Sequence, residues 1–185
     1  MAWPTLVTDR LVLRPLAATD LDDLVALHAE ESFWWYPFGR GWSRAETESF
    51  LDRTIERYRD PGVAVSAVEI ADTAQLAGWA GLSIPTFLPE ILPAVEVGWR
   101  LGEQHRGRGF ATEAGRAWVR YGFEELGLEG IVSIYEPENV ASGAVMKRLG
   151  FTLERETTHP THGMQIHVMS LSKDAWRSAD VRPSP

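Results

Sequence analysis

A chain of 185 residues, 44% apolar and 24% charged, is long enough for one domain with its own core and too apolar to be disordered. The absence of cysteine excludes a thiol nucleophile, a cysteine zinc site and a disulfide framework. A net charge of −8 argues against nucleic-acid binding by bulk charge, and no apolar run is long enough to span a bilayer.

Met1-Ala2-Trp3-Pro4 does not read as a signal sequence, and a cytoplasmic setting is expected. Arg10-Leu11-Val12-Leu13-Arg14 reads as a short first strand. Thr19-x-x-Asp22 has the spacing of a capping box, after which Leu21, Leu24, Val25 and His28 share a helical face. On that face His28 is a packing residue rather than a ligand. Residues 33–42 then carry Phe33, Trp34, Trp35, Tyr36, Phe38 and Trp42 beside Gly39 and Gly41. Some of these aromatics must pack between helices, but six in ten residues exceed what a tight connection needs, so the segment is also a pocket candidate. Ser43-x-x-Glu46 caps a second helix, with Thr47, Phe50, Leu51, Thr54, Ile55 and Tyr58 on one face and Asp60-Pro61-Gly62 as its stop. Residues 63–70 and 75–84 read as neighbouring strands, in which Gly78 and Gly81 mark a bulge or a close backbone approach. Pro85, Pro89 and Pro93 make the next stretch a loop placed to overhang a site.

The chain is organised around residues 94–123, which read strand, glycine loop, helix. Val95, Val97, Trp99 and Leu101 alternate with Glu96, Gly98 and Arg100. After Gln104-His105-Arg106-Gly107-Arg108-Gly109 comes a helical pattern, with Phe110, Ala114, Ala117, Trp118 and Tyr121 on one face and Glu113, Arg116, Arg120 and Glu124 opposite. The first amides of a helix lack intrahelical partners, and glycines let the preceding backbone curl so that further amides point the same way. Residues 100–120 hold five arginines against two glutamates, an electropositive island in an acidic chain that suits a polyanionic ligand. A phosphate-binding P-loop fails here, because Arg108 and Gly109 stand where lysine and a hydroxyl are needed. A dinucleotide fingerprint fails because Thr112 stands at its third glycine.

Downstream, residues 131–135 form another strand. Asn139-Val140-Ala141-Ser142 opens a helix that Asn139 caps, Ala141, Val145 and Leu149 bury, and Gly150 ends. Strands over 151–157 and 165–172 follow, then a last turn from Lys173. His159 and His162 lie between these strands and His167 on the second of them, and no metal site is expected of them.

Gln104-x-x-Gly107-x-Gly109, continued by Phe110-Ala111-Thr112-Glu113-Ala114 and joined by the Asn139 helix, resembles the GNAT superfamily of acyl-CoA-dependent N-acyltransferases. Thr8-Asp9-Arg10-Leu11-Val12-Leu13-Arg14-Pro15 is similar to the start of its ribosomal-protein-N-terminus acetyltransferase-like subgroup. The resemblance implies an α/β (α+β) fold: a mixed, twisted sheet of six to seven strands, helices on both faces and a splayed central parallel pair. It implies acetyl-CoA as co-substrate, held by Val97, Trp99, Gln104, Arg106, Gly107, Arg108, Gly109, Ala111, Thr112 and Asn139, and no metal. Many members carry a tyrosine that protonates the leaving thiolate; that position is Met146 here, and the subgroup's serine, Ser142, is the substitute, with Tyr135 or a water next in line. For the base, Glu96 lies on a strand that carries a glutamate base in some members, with His159, His162 or a water as rivals; a surface or ion-paired strand residue, such as one facing Arg100, is the other role open to Glu96. The expected protein is a single domain over 1–178 with a flexible tail over 179–185. It acetylates a primary amine, on a protein N-terminus or a small molecule, without an acyl-enzyme. The alternatives are a coenzyme-A-binding regulatory module and the same enzyme using succinyl-CoA. Expected partners are an acyl-CoA and the amine, with no nucleic acid or membrane; a homodimer is compatible with this.

Overall fold

The computed structural model describes residues 3–34, 39–59 and 63–180, the side chains of the last two excepted. Trp35, Tyr36, Pro37 and Phe38, the helix stop at Asp60-Pro61-Gly62 and residues 181–185 of the expected tail lie outside the described residues. Within them one sheet carries eight strands in the order β1-β2-β3-β4-β5-β6-β8-β7. These are β1 (Leu6–Val7), β2 (Leu11–Arg14), β3 (Val65–Ile70), β4 (Gln75–Ser83), β5 (Glu96–Leu101), β6 (Gly130–Tyr135), β7 (Thr152–Thr158) and β8 (Gln165–Ser172). The count exceeds the expected six to seven by β1, whose two residues exist only through their register with Val12 and Leu13 and carry no period of their own.

Among the described residues five α-helices accompany the sheet: α1 (Leu21–Ala29), α2 (Arg44–Arg57), α3 (Phe110–Glu124), α4 (Val140–Arg148) and α5 (Lys173–Asp180). Ser43 and Glu46 form the reciprocal cap of α2. The box expected at Thr19 and Asp22 is not what starts α1. A 3₁₀ turn over Ala18–Asp20 leads into it, and Asp20, buried, accepts from the Ala17 amide at 2.8 Å and from both terminal nitrogens of Arg14 at 2.8 Å. Asp20 thereby closes the turn on Ala17 and ties it to the end of β2 through the charge-assisted pair with Arg14.

Alternation along the strands divides the core. Leu11, Leu13, Val68, Ala80, Leu82 and Val97 meet the Phe110, Ala114, Trp118 and Phe123 face of α3. Ala67 and Leu76 face the other way, onto Leu24, Leu27 and Leu51 of α1 and α2. Opposite Gly78 the β3–β4 register slips, and a Cβ at Gly78 would fall 2.1 Å from the Arg100 carbonyl oxygen, so the bulge and the close approach coincide.

All neighbours are antiparallel except β5 and β6, which share the single register pair Glu96–Val132. The Val132 amide donates to the Val95 carbonyl at 2.9 Å. One step further the Ser133 hydroxyl donates to the Val97 carbonyl at 2.8 Å, where a backbone bond would otherwise stand. Beyond that point the two strands diverge, and the gap between their C-terminal ends is the mouth of a cavity.

Candidate active site

The cavity, of about 1750 Å³, runs from the glycine loop past the diverging strands to the β7–β8 turn. At the loop end, Gly107 and Gly109 hold φ of 71° and 85°, a region that costs other residues strain. Gly109 caps α3, so the free first-turn amides follow it directly. A Cβ at Gly107 would meet nothing within 4 Å, leaving the approach to its backbone open.

Trp99, Arg106, Gly107, Gly109, Ala111, Thr112, Asn139, Ser142 and Glu96 all line this one cavity, drawn from β5, the loop, α3 and α4. Val97, Gln104 and Arg108 do not line it. The Val97 side chain is buried in the core beneath α3 and its carbonyl accepts the Ser133 hydroxyl, and Gln104 is exposed. Arg108 is exposed, with its guanidinium 4.7 Å from the Phe110 ring centroid. Arg106 spends its donors on protein carbonyls, that of Leu101 at 3.0 Å and that of Ser32 at 2.7 Å. Arg100 donates to the Phe33 carbonyl at 2.6 Å and lies 4.4 Å from the Trp34 ring centroid. The electropositive island is therefore partly a set of clamps that tie the loop and β5 to the segment after α1.

At the far end stands Glu96. Desolvation inside the cavity raises its carboxyl pKa to about 7; the Ser83 hydroxyl, 3.4 Å from Oε2, the Ile134 amide and the Arg100 charge oppose this without cancelling it. Such a carboxyl holds or releases a proton near neutrality. His159 also lines the cavity, but its Nδ1 accepts from the Thr161 and His162 amides at 3.2 and 3.3 Å. Burial and the neighbouring His162 hold its pKa below the ordinary histidine value, so it stands as a neutral Nε2 donor. Its ring stacks on Phe87, centroids 4.8 Å apart, which makes the proline-bounded loop between β4 and β5 a roof over this end.

Asn139 Oδ1 accepts from the Ser142 amide at 3.1 Å, so the cap fixes the turn that carries Ser142. Met146 is buried in the core. The Tyr135 ring lies against Gly143, where a Cβ would come within 2.8 Å, and its hydroxyl is 3.3 Å from His167 Nδ1. No group of three or more His, Cys, Asp or Glu side chains able to hold a metal occurs among the described residues. His28 is fully buried, ringed by Phe33, Trp34, Trp42 and Phe50, and desolvation lowers its pKa to about 4. Of the aromatic segment, Phe33 reaches the cavity, while Trp34 and Trp42 stack at 3.8 Å as core.

Sequence reasoning named Arg100 as a partner of Glu96 but missed Ser83 and the Ile134 amide. Ser83 faces Glu96 across the β4–β5 ladder, and the long connection between those strands hides their register. It also missed the stacking of Phe87 on His159, which no local pattern signals.

A family model described as an acetyltransferase (GNAT) domain matches residues 10–152. The FsC-acetyl coenzyme A-N(2)-transacetylase of Aspergillus fumigatus is 32% identical over 159 residues, which cover 82% of this chain and 66% of that protein. The [ribosomal protein uS5]-alanine N-acetyltransferase of Escherichia coli is 26% identical over 159 residues, 80% of this chain and 78% of that one. Among solved structures, an acetyltransferase from Agrobacterium tumefaciens superposes with a TM-score of 0.77 at 29% identity, covering 94% of this chain and 96% of that one.

Proposed function

We propose, from the premise that the chain belongs to the GNAT acetyltransferase family, that it moves the acetyl group of acetyl-CoA to a primary amine inside the β5–β6 cavity. The observation that carries the chemistry is Glu96, a carboxyl poised at about 7, opening into the same cavity as the glycine loop. The backbone of Gly107 and Gly109 and the first amides of α3 receive the diphosphate of the donor, and the arm runs through the gap between β5 and β6 toward Asn139.

An acceptor amine arrives as an ammonium, with a reference pKa of about 8 for an α-amine and about 10 for a lysine. Glu96 takes one proton and passes it to solvent. The freed nitrogen attacks the thioester carbonyl carbon, the C–S bond breaks, and the sulfur gains a proton while the nitrogen loses its second. The Ser142 hydroxyl hydrogen-bonds or protonates the departing sulfur. The products are an amide, a thiol and one released proton, with no acyl-enzyme; the chain has no cysteine to form one on sulfur. A backbone amide of β5 between Val97 and Trp99 polarises the carbonyl.

His159 fits the base role less well, since its one lone-pair nitrogen already accepts two amides. The proposal takes residues 1–178 as one domain, a cytoplasmic setting, an acyl-CoA and an amine as partners, and no metal, nucleic acid or membrane; a homodimer is compatible with it. A panel of amines, including an N-terminal peptide, a polyamine and an amino acid, offered with acetyl-CoA or succinyl-CoA tests this by thiol release and product mass. Acetylated product with at least one amine is expected. Binding of acetyl-CoA without amine-dependent thiol release would contradict it, and faster turnover with succinyl-CoA would correct the donor.

A further inference from the structure

Arg10, in the turn between β1 and β2, reaches residues about a hundred positions away in sequence. Its Nε donates to Glu113 Oε2 at 2.7 Å, its Nη2 pairs with the same carboxylate at 2.6 Å, and its Nη1 donates to the Arg108 carbonyl at 2.9 Å. Its own backbone amide and the Thr8 hydroxyl donate to Glu113 Oε1 at 2.9 and 2.7 Å. The guanidinium stands 4.9 Å from the Phe110 ring centroid and 3.2 Å from where a Cβ on Gly109 would lie. A half-exposed arginine is thus bound on three sides, and one of its partners belongs to the glycine loop.

The Arg108 carbonyl and the Gly109 amide belong to one planar trans peptide and point in opposite directions. Gly109 is at φ 85°, so one of the two torsions that turn this peptide has the latitude of a glycine, and a partner on the Arg108 carbonyl limits it. We propose that Arg10 is a positioning residue for the donor: by holding the Arg108 carbonyl and anchoring on Glu113 in the first turn of α3, it fixes the Gly109 amide in the orientation that receives the diphosphate. The inference rests on the acetyl-CoA reading above. A planar fork is required, because one side chain must serve a carboxylate and a carbonyl at once; lysine keeps the charge but not the fork. The β1–β2 turn, remote from the reacting atoms, is thereby part of the donor site.

Three donors separate this role from others: acetyl-CoA, 3′-dephospho-acetyl-CoA, which keeps the diphosphate, and S-acetylpantetheine, which lacks it. With one accepted amine, Arg10→Met is expected to lower kcat/KM about tenfold or more for both diphosphate donors, mainly through KM, and to leave acetylpantetheine within about twofold. Arg10→Lys is expected to resemble Arg10→Met, and Glu113→Gln to shift the same two donors in the same direction. An equal loss on all three donors would make Arg10 a general fold residue. A loss confined to acetyl-CoA would place it on the 3′-phosphate, and wild-type behaviour of Arg10→Lys would reduce it to a charge. Each of these overturns the proposal. A wild-type enzyme that uses acetylpantetheine as well as acetyl-CoA would instead overturn the donor-loop reading itself.

Discussion

Ser142 has its place fixed by backbone rather than by its hydroxyl, since its amide donates to the Asn139 cap. Replacing it is therefore expected to cost little structure, since alanine is at least as good a helix former. Ser142→Ala is expected to lower kcat by on the order of 10²-fold, with a similar loss in kcat/KM and unchanged acetyl-CoA affinity and melting temperature. Turnover within about threefold of wild type would leave Ser142 structural and direct attention to Tyr135, whose hydroxyl is 3.3 Å from His167 Nδ1. At this scale the sequence was legible where placement follows local spacing. Asn139 and Ser142 are three residues apart on one helical turn, and both reach the cavity. Gln104 sits two residues from Arg106 in the same short loop, yet faces outward, because a 3₁₀ turn over Glu103–His105 rotates the chain between them. No periodicity reports such a rotation. Nor does any reveal that Arg106 is occupied by the carbonyls of Leu101 and Ser32.

β5, the glycine loop and α3 are where the sequence spoke most clearly, because each obeys its own rule: period two, then glycine, then period 3.6. The bounds follow closely, with β5 ending at Leu101 and α3 starting at Phe110. The connection is expected to depend on backbone conformation more than on any exposed side chain. Gly109→Val puts a β-branched residue at φ 85° with its Cβ 3.2 Å from Arg10 Nη2. The turn must distort or the Arg10 contact must give, so acetyl-CoA binding is expected to weaken severely, by ~10²-fold or more. Arg108→Ala removes an exposed side chain outside the cavity and is expected to cost no more than about 1 kcal/mol, the scale of a single solvated phosphate contact. Calorimetric titration of both folded variants checks the pair; unchanged affinity in Gly109→Val would contradict the loop assignment. Elements without a rule of their own were not legible. β1 is two residues long, and α1 is entered through a 3₁₀ turn that Asp20 closes on Ala17.

Across the molecule, the fold was readable in outline and the site only in part, because the cavity is made by pieces that meet from distant places. β5 brings Glu96, β4 brings Ser83, the connection between them brings Phe87, and the β7–β8 turn brings His159 and His162. They gather at one end of a cavity whose other end is the glycine loop, and burial there raises the Glu96 carboxyl while Ser83 opposes the shift. That arrangement carries a stability cost: a carboxyl raised from 4.5 to about 7 contributes fully below its unfolded value and loses that contribution as pH rises through about 7. Where catalysis needs the ionised form, stability and activity thus move in opposite directions. Glu96→Gln is accordingly expected to raise the melting temperature at mildly alkaline pH while it lowers turnover, the pattern of a group kept for its chemistry. The most direct measurement of the whole account is amine-dependent thiol release from acetyl-CoA by wild type and Glu96→Gln between pH of about 5.5 and 9. The account predicts that wild-type kcat rises through a pKa near 7 and that Glu96→Gln loses on the order of 10²-fold together with that inflection. A variant that keeps both the rate and the inflection would contradict it.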